Sequence, residues 1–224
     1  MQFFDLENIF FTALGYKMSY LEFFGTIAGA VAVWLSARAN IWSWPIGIVN
    51  VVLFFFLFYQ VQLYPDMFLQ VFFFITNLLG WWRWANPKTG EEDLKKELKV
   101  SFTHWKHFLV MTIGGLLVTY LFGSFAKNLH ELFPTIFSLP SAYPYADSFV
   151  TVISILATFL MVEKKIECWI LWIIVDAVAT YLYFAKGIKF VGIEYLAFCF
   201  IAAFGLWSWM QQYKLNRSTE STRA

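Results

Sequence analysis

Gly80-Trp81-Trp82-Arg83-Trp84 and Gly205-Leu206-Trp207-Ser208-Trp209 stand 125 positions apart and share a Gly-x-Trp-x-Trp pattern. The same offset carries Trp44 to Trp169. It also carries the acid and threonine of Glu22-Phe23-Phe24-Gly25-Thr26 to those of Asp147-Ser148-Phe149-Val150-Thr151. Chance matches between apolar residues count for little in so apolar a chain. Acids, threonines, glycines and tryptophans kept at one offset count for more. A hydrophobic chain built from two like halves carries the signature of a transporter whose substrate is held between the halves, near the bilayer midplane.

Composition places the chain in a membrane. Apolar residues make up 60% and charged residues 14%, against about 45–50% and about 25% in soluble domains. A soluble fold of 224 residues could not cover itself with so few charges. The net charge of +1 excludes little, because the charges are segregated. No secretory leader with a cleavage site is expected ahead of the first span. Cys168 and Cys199 lie in apolar stretches and are expected as buried thiols, not a disulfide or metal framework.

The expected fold is an all-α polytopic membrane protein with seven transmembrane helices. The spans fall at Leu21–Leu35, Ile41–Tyr59, Asp66–Trp84, Phe108–Phe122, Ser148–Val162, Cys168–Phe184 and Val191–Met210. Spans one to three and five to seven form the repeats, residues 21–86 and 147–212. Three crossings are an odd number, so a second copy keeps its orientation only if one more helix lies between. Span four, within residues 108–146 together with an outer loop, is that linker. The result is two parallel three-helix repeats.

Lys and Arg divide twelve to four between the two faces this topology creates, which puts the N-terminus outside and the C-terminus in the cytoplasm. Residues 1–20 are too polar to cross and are expected as an interfacial helix. Residues 87–107 form a cytoplasmic connector. Within it Thr89–Lys99 is expected as an amphipathic helix, capped by Thr89 and Glu92, and residues 213–224 as a cytoplasmic tail. His104 and His107 have no carboxylate or cysteine beside them, so an interfacial pair is expected rather than a metal site.

Polar groups inside spans carry the functional signal, because facing lipid is costly. Gln70, Asn77, Trp81 and Trp84 repeat on one face of span three. The amides suit hydroxyls or a carboxamide, and the indoles suit a flat or cationic ring. The competing readings are helix glue for the amides and an aromatic belt for the tryptophans. Asn50 lies in span two, with glue the main rival. Ser43 could cap span two and place Pro45 in its first turn; a hinge at Pro45 is the alternative. At the repeat offset Gln70 meets Tyr195, Asn77 meets Ala202, and Asn50 meets Val175, beside Asp176. A symmetric scaffold with an asymmetric lining suits an asymmetric solute. Asp176 is open to two readings, cation or proton partner and neutral hydrogen-bonded carboxyl. Glu194 stands near the outer end of span seven, beside Lys189, and could simply be a neutralised acid.

The 3+1+3 repeat, Trp44-Pro45-Ile46-Gly47-Ile48-Val49-Asn50-Val51-Val52-Leu53-Phe54-Phe55 and above all Asn77-Leu78-Leu79-Gly80-Trp81-Trp82-Arg83-Trp84 resemble the PnuC family of nicotinamide riboside transporters, from about Glu22 to Gln212. That resemblance implies an architecture similar to SWEET sugar transporters with a different helix order in each triple. It implies uptake of nicotinamide riboside by facilitated diffusion, with phosphorylation inside as the trap. It places Gln70, Asn77, Trp81 and Trp84 in or beside the site, and transfers nothing by motif to the second half. Other vitamins such as thiamine or riboflavin, or a sugar, remain alternative solutes, and a non-transporting receptor an alternative role. No cofactor, metal, nucleic-acid partner or enzymatic activity is expected; a homo-oligomer stays open. The chain has no Walker motif for ATP-driven pumping.

Overall fold

The computed structural model describes residues 5, 8–13, 16–60, 64–93, 95–132, 143–185 and 189–223. Among them seven helices follow one hairpin: β1 (Ile9–Ala13), β2 (Tyr16–Ser19), α1 (Tyr20–Ala37), α2 (Ser43–Gln60), α3 (Tyr64–Ala85), α4 (Trp105–Leu132), α5 (Pro144–Val162), α6 (Glu167–Ala185) and α7 (Lys189–Arg223). Six of these helices are long and apolar enough to cross a bilayer. The exception, α3, carries Asp66 and Arg83, yet its 22 residues reach about 33 Å, enough to span. The row Val110, Ile113, Leu117 and Tyr120 along α4 is exposed, a surface only lipid tolerates at this length. The chain is a multi-pass membrane protein.

Six of the seven expected spans lie inside one helix each. The second starts two residues late, because Ile41 and Trp42 form a turn, closed by Asn40 Oδ1 accepting from the Trp42 N–H at 2.9 Å. Ser43 is the first residue of α2 rather than its cap, and Pro45 falls in the first turn, where its missing N–H costs nothing. The α7 helix runs on through Arg223, so the expected tail continues the last span. Residues 133–142 of the expected outer loop, and Lys186, lie outside the described residues.

Two further expectations fail. Between residues 1 and 20 the described part is an antiparallel hairpin, Ile9 pairing with Ser19 and Thr12 with Lys17. Its Ile-Phe-Phe-Thr run is β-branched and aromatic, which favours strands over an interfacial helix. Ser19 then caps α1, its hydroxyl accepting from the Glu22 N–H at 3.2 Å. The repeated acid marks a helix start: Glu22 lies in the first turn of α1 and Asp147 in that of α5. The second failure is Thr89–Lys99, which forms no helix. Glu92 bridges Leu98, and Lys96 takes a positive φ of 60° in the turn between them. Asp93 wins the competition, since its carboxylate accepts from the N–H groups of Lys95 and Glu97. Arg83 pairs with Glu91 at 2.7 Å, and this hydrogen bond holds the Glu91 carboxyl below its usual range. The Leu98 N–H donates to Trp84 O at 2.9 Å, satisfying a carbonyl at the end of α3.

The chain divides into Met1–Lys99 and Val100–Ala224. In the first unit α2 packs on both α1 and α3; in the second α5 packs on α4 and α6, and α6 on α7. Helices thus pack in chain order. The turns between α1 and α2 and between α5 and α6 share backbone hydrogen bonds at the repeat offset. The N–H of Asn40 donates to Leu35 O (3.0 Å) as that of Lys165 does to Leu160 O (2.8 Å). Ala39 donates to Ser36 O and Lys164 to Met161 O. Ala39 and Lys164 share a left-handed φ of 51° and 52°, which L residues rarely adopt. At these two turns the sequence repeat is accompanied by a like backbone.

The Gly-x-Trp-x-Trp pattern now has a physical cause. Trp44 of α2 meets Trp84 of α3 edge to face, with centroids 5.2 Å apart at 88°. Trp169 of α6 meets Trp209 of α7 in the same way, at 5.5 Å and 86°. Gly80 and Gly205, one turn before each inner tryptophan, lie where a Cβ would strike the Trp44 and Trp169 rings. The Nε1 atoms of Trp44 and Trp169 are buried without a hydrogen-bond partner among the described residues. Packing and ring contact hold these pairs, as expected where no hydrophobic force drives helices together.

Candidate functional site: a polar row on α3 and an acid–phenol cluster on α6 and α7

Gln70, Asn77, Trp81 and Trp84 do share one face of α3, but the row divides into two parts. Trp84 is 0% exposed and locked on Trp44. Trp81 is 41% exposed. Gln70 and Asn77 are half-buried. Asn77 Nδ2 donates to Phe73 O at 2.8 Å, and its Oδ1 abuts Gly47 of the Trp-Pro-Ile-Gly stretch. With one N–H committed to its own helix, the amide keeps acceptor capacity at the α2 seam. The upper row, Gln70–Asn77–Trp81, can offer hydrogen bonds and a ring face; Trp84 contributes rigidity.

Asn50 has a different use. Its Nδ2 donates to Gly25 O at 2.8 Å and lies against Gly29. Gly25 and Gly29, four apart, let α1 approach this side chain closely. The amide ties α1 to α2.

In the second unit, Asp176 on α6 is 4% exposed. It lies within electrostatic reach of Tyr195 and Cys199 of α7. Tyr195 stacks on Tyr183 at 5.2 Å and 11°. Glu194, one residue before, is exposed and also acts on Tyr195. Tyr183 escapes the sequence reading, and Cys199, expected only as a buried thiol, is half-buried, although the spacing signals both. Tyr183 is seven after Asp176 and Cys199 four after Tyr195, each on its partner's face. The Thr180 hydroxyl donates to Asp176 O at 2.7 Å, inside the helix.

The two units therefore carry different chemistry on like scaffolds: amides on α3, an acid and stacked phenols on α6 and α7. Among the described residues no three His, Cys, Asp or Glu side chains converge as metal ligands. His104 and His107 sit ring to ring at 5.6 Å, and both cysteines are free thiols.

The family described as nicotinamide mononucleotide transporter matches residues 19–211 of the chain. A nicotinamide riboside transporter of Escherichia coli K12, PnuC, is 32% identical over 232 residues, covering 94% of this chain and 95% of its own. The riboflavin/roseoflavin transporter RibM of Streptomyces davaonensis is 26% identical, covering 91% of each. Among solved structures, the crystal structure of the vitamin B3 transporter PnuC shares the fold, with a TM-score of 0.63 at 20% identity, over 88% of this chain and 83% of that one.

Proposed function

The chain belongs to the nicotinamide mononucleotide transporter family, and from that premise we propose that it takes up nicotinamide riboside across the bacterial cytoplasmic membrane by facilitated diffusion. The 32% identity to the Escherichia coli riboside transporter, over nearly the whole of both chains, carries this reading. The residues we assign to substrate contact are Gln70, Asn77 and Trp81 of the first unit and Asp176, Tyr195 and Glu194 of the second. Asn50 and Trp84 serve by holding α1 to α2 and α2 to α3. Amides meet the ribose hydroxyls and carboxamide; Trp81 and the Tyr183–Tyr195 stack offer faces to the pyridinium.

The solute carries one positive charge. An inside-negative potential of 100 mV contributes about 2.3 kcal/mol, more than one decade of concentration at about 1.4 kcal/mol each. Uptake then needs no coupled ion, and phosphorylation inside traps the product. In proteoliposomes, imposing such a potential should raise accumulation of labelled nicotinamide riboside at least tenfold. Accumulation indifferent to potential would remove this mechanism. In the same assay Asn77→Leu and Gln70→Leu should each weaken binding by about 1–3 kcal/mol, the cost of a partner lost at a polar seam. Normal affinity in both variants would make these amides helix glue.

The relative named for riboflavin favours a second reading, a flavin-type ring in place of the pyridinium. Competition separates the two: riboflavin should fail to displace nicotinamide riboside. The N-terminus is outside and the C-terminus inside in this proposal. A reporter active only in the cytoplasm should work when fused after Ala224 and fail at Ser141; the reverse would overturn the topology.

A further inference from the structure

Trp207, Met210, Lys214 and Arg217 follow one another at steps of three, four and three along α7, so they form one stripe. Trp207 and Met210 are exposed, and so are Lys214 and Arg217. Phe102 packs edge-on against Tyr213, with centroids 5.0 Å apart at 84°. Together Phe102, Met210, Tyr213, Lys214, Arg217 and Ser218 line a groove. Its lining is aromatic and apolar at Phe102, Met210 and Tyr213 and basic at Lys214 and Arg217. Among the described residues neither cation is in an ion pair.

Depth decides what such a groove suits. Residues 195–213 of α7 are uncharged, a rise of about 28 Å, close to the hydrocarbon thickness of about 30 Å. Lys214 therefore stands where the acyl chains end and the headgroups begin, and Trp207 lies two turns deeper. We propose that this groove binds the headgroup of an anionic phospholipid. The phosphate sits between Lys214 and Arg217, and an acyl chain runs along Met210 and Trp207. Basic side chains at the membrane surface attract anionic lipid in this way, and the long side chains can lay their stems on Phe102 and Tyr213 while keeping their charges wet.

The test uses the full chain, purified in a neutral detergent and titrated with phosphatidylglycerol or phosphatidylcholine, with bound lipid counted by native mass spectrometry. Phosphatidylglycerol should bind about tenfold more tightly, and Lys214→Gln with Arg217→Gln should abolish the preference. The neutral substitutions leave the helix intact, and an unchanged unfolding midpoint of the lipid-free protein verifies this. Phe102→Ala should weaken phosphatidylglycerol while leaving the charge pair in place. A preference that survives the double substitution overturns the site. So does equal occupancy by inorganic phosphate alone, or full blocking by it, since either outcome assigns the groove to a soluble anion rather than a lipid.

Discussion

Trp84→Ala and Trp209→Ala should each cost about 3 kcal/mol or more of stability, enough to bring most of the detergent-solubilised protein down in aggregates. Both side chains are fully buried, and each closes an edge-to-face pair between two helices. The cost comes from packing, because lipid tails would solvate an exposed ring as readily as the protein interior does. Removing the ring leaves Trp44 or Trp169 beside a void that its neighbours cannot fill. Trp81→Ala is the control on the same helix. Its ring is partly exposed, so the variant should fold normally and change uptake. Fluorescence-detected size exclusion after a heating series reads all three. A Trp84→Ala protein as heat-resistant as the parent, but with reduced binding, would return that indole to the substrate path.

This contrast shows where a sequence is legible. Trp42, Trp44, Trp81, Trp82, Trp84, Trp207 and Trp209 all stand near expected span ends, and periodicity alone does not divide an aromatic belt from helix seams among them. The division rests on what faces each ring. Trp84 and Trp209 follow a glycine by one turn, and that glycine admits the partner ring from the neighbouring helix. Trp42, Trp82 and Trp207 have no such arrangement and stay exposed. The repeat was legible because its anchors are the residues that fix these seams, and the matched turns at Ala39 and Lys164 follow from it. The helix expected over Thr89–Lys99 fails because a capping pattern and a charge gradient fit a helix and a short hairpin equally. Asp93 decides through hydrogen bonds that composition does not reveal. On α3 the sequence brought out Gln70 and Asn77 by their polarity. In the second repeat Tyr183 is not legible, because a tyrosine in an aromatic-rich span is no anomaly without the Tyr195 ring stacked on it.

Nicotinamide mononucleotide should compete for the site at least about 100-fold more weakly than nicotinamide riboside. The two differ by a phosphate, and a buried anion without a partner costs several kcal/mol, more than two decades of affinity. From Ile41 to Trp82 the only charged residue is Asp66, and from Cys168 to Ala185 the only one is Asp176. Neither stretch holds a cation to receive a phosphate near the Gln70–Asn77 row or the Asp176–Tyr195 cluster. An ionised Asp176 would add repulsion. Nicotinamide alone, lacking the hydroxyls, and ribose alone, lacking the ring, should also compete poorly, because each forgoes one half of the lining. The physiological consequence follows from the same energy term: a riboside phosphorylated inside the cell cannot return by the path it entered. Displacement of labelled riboside from the purified protein measures all four solutes together. Competition by the mononucleotide within tenfold of the riboside would require a phosphate-binding cation in the path, and would remove both the proposed lining and the trap that depends on it.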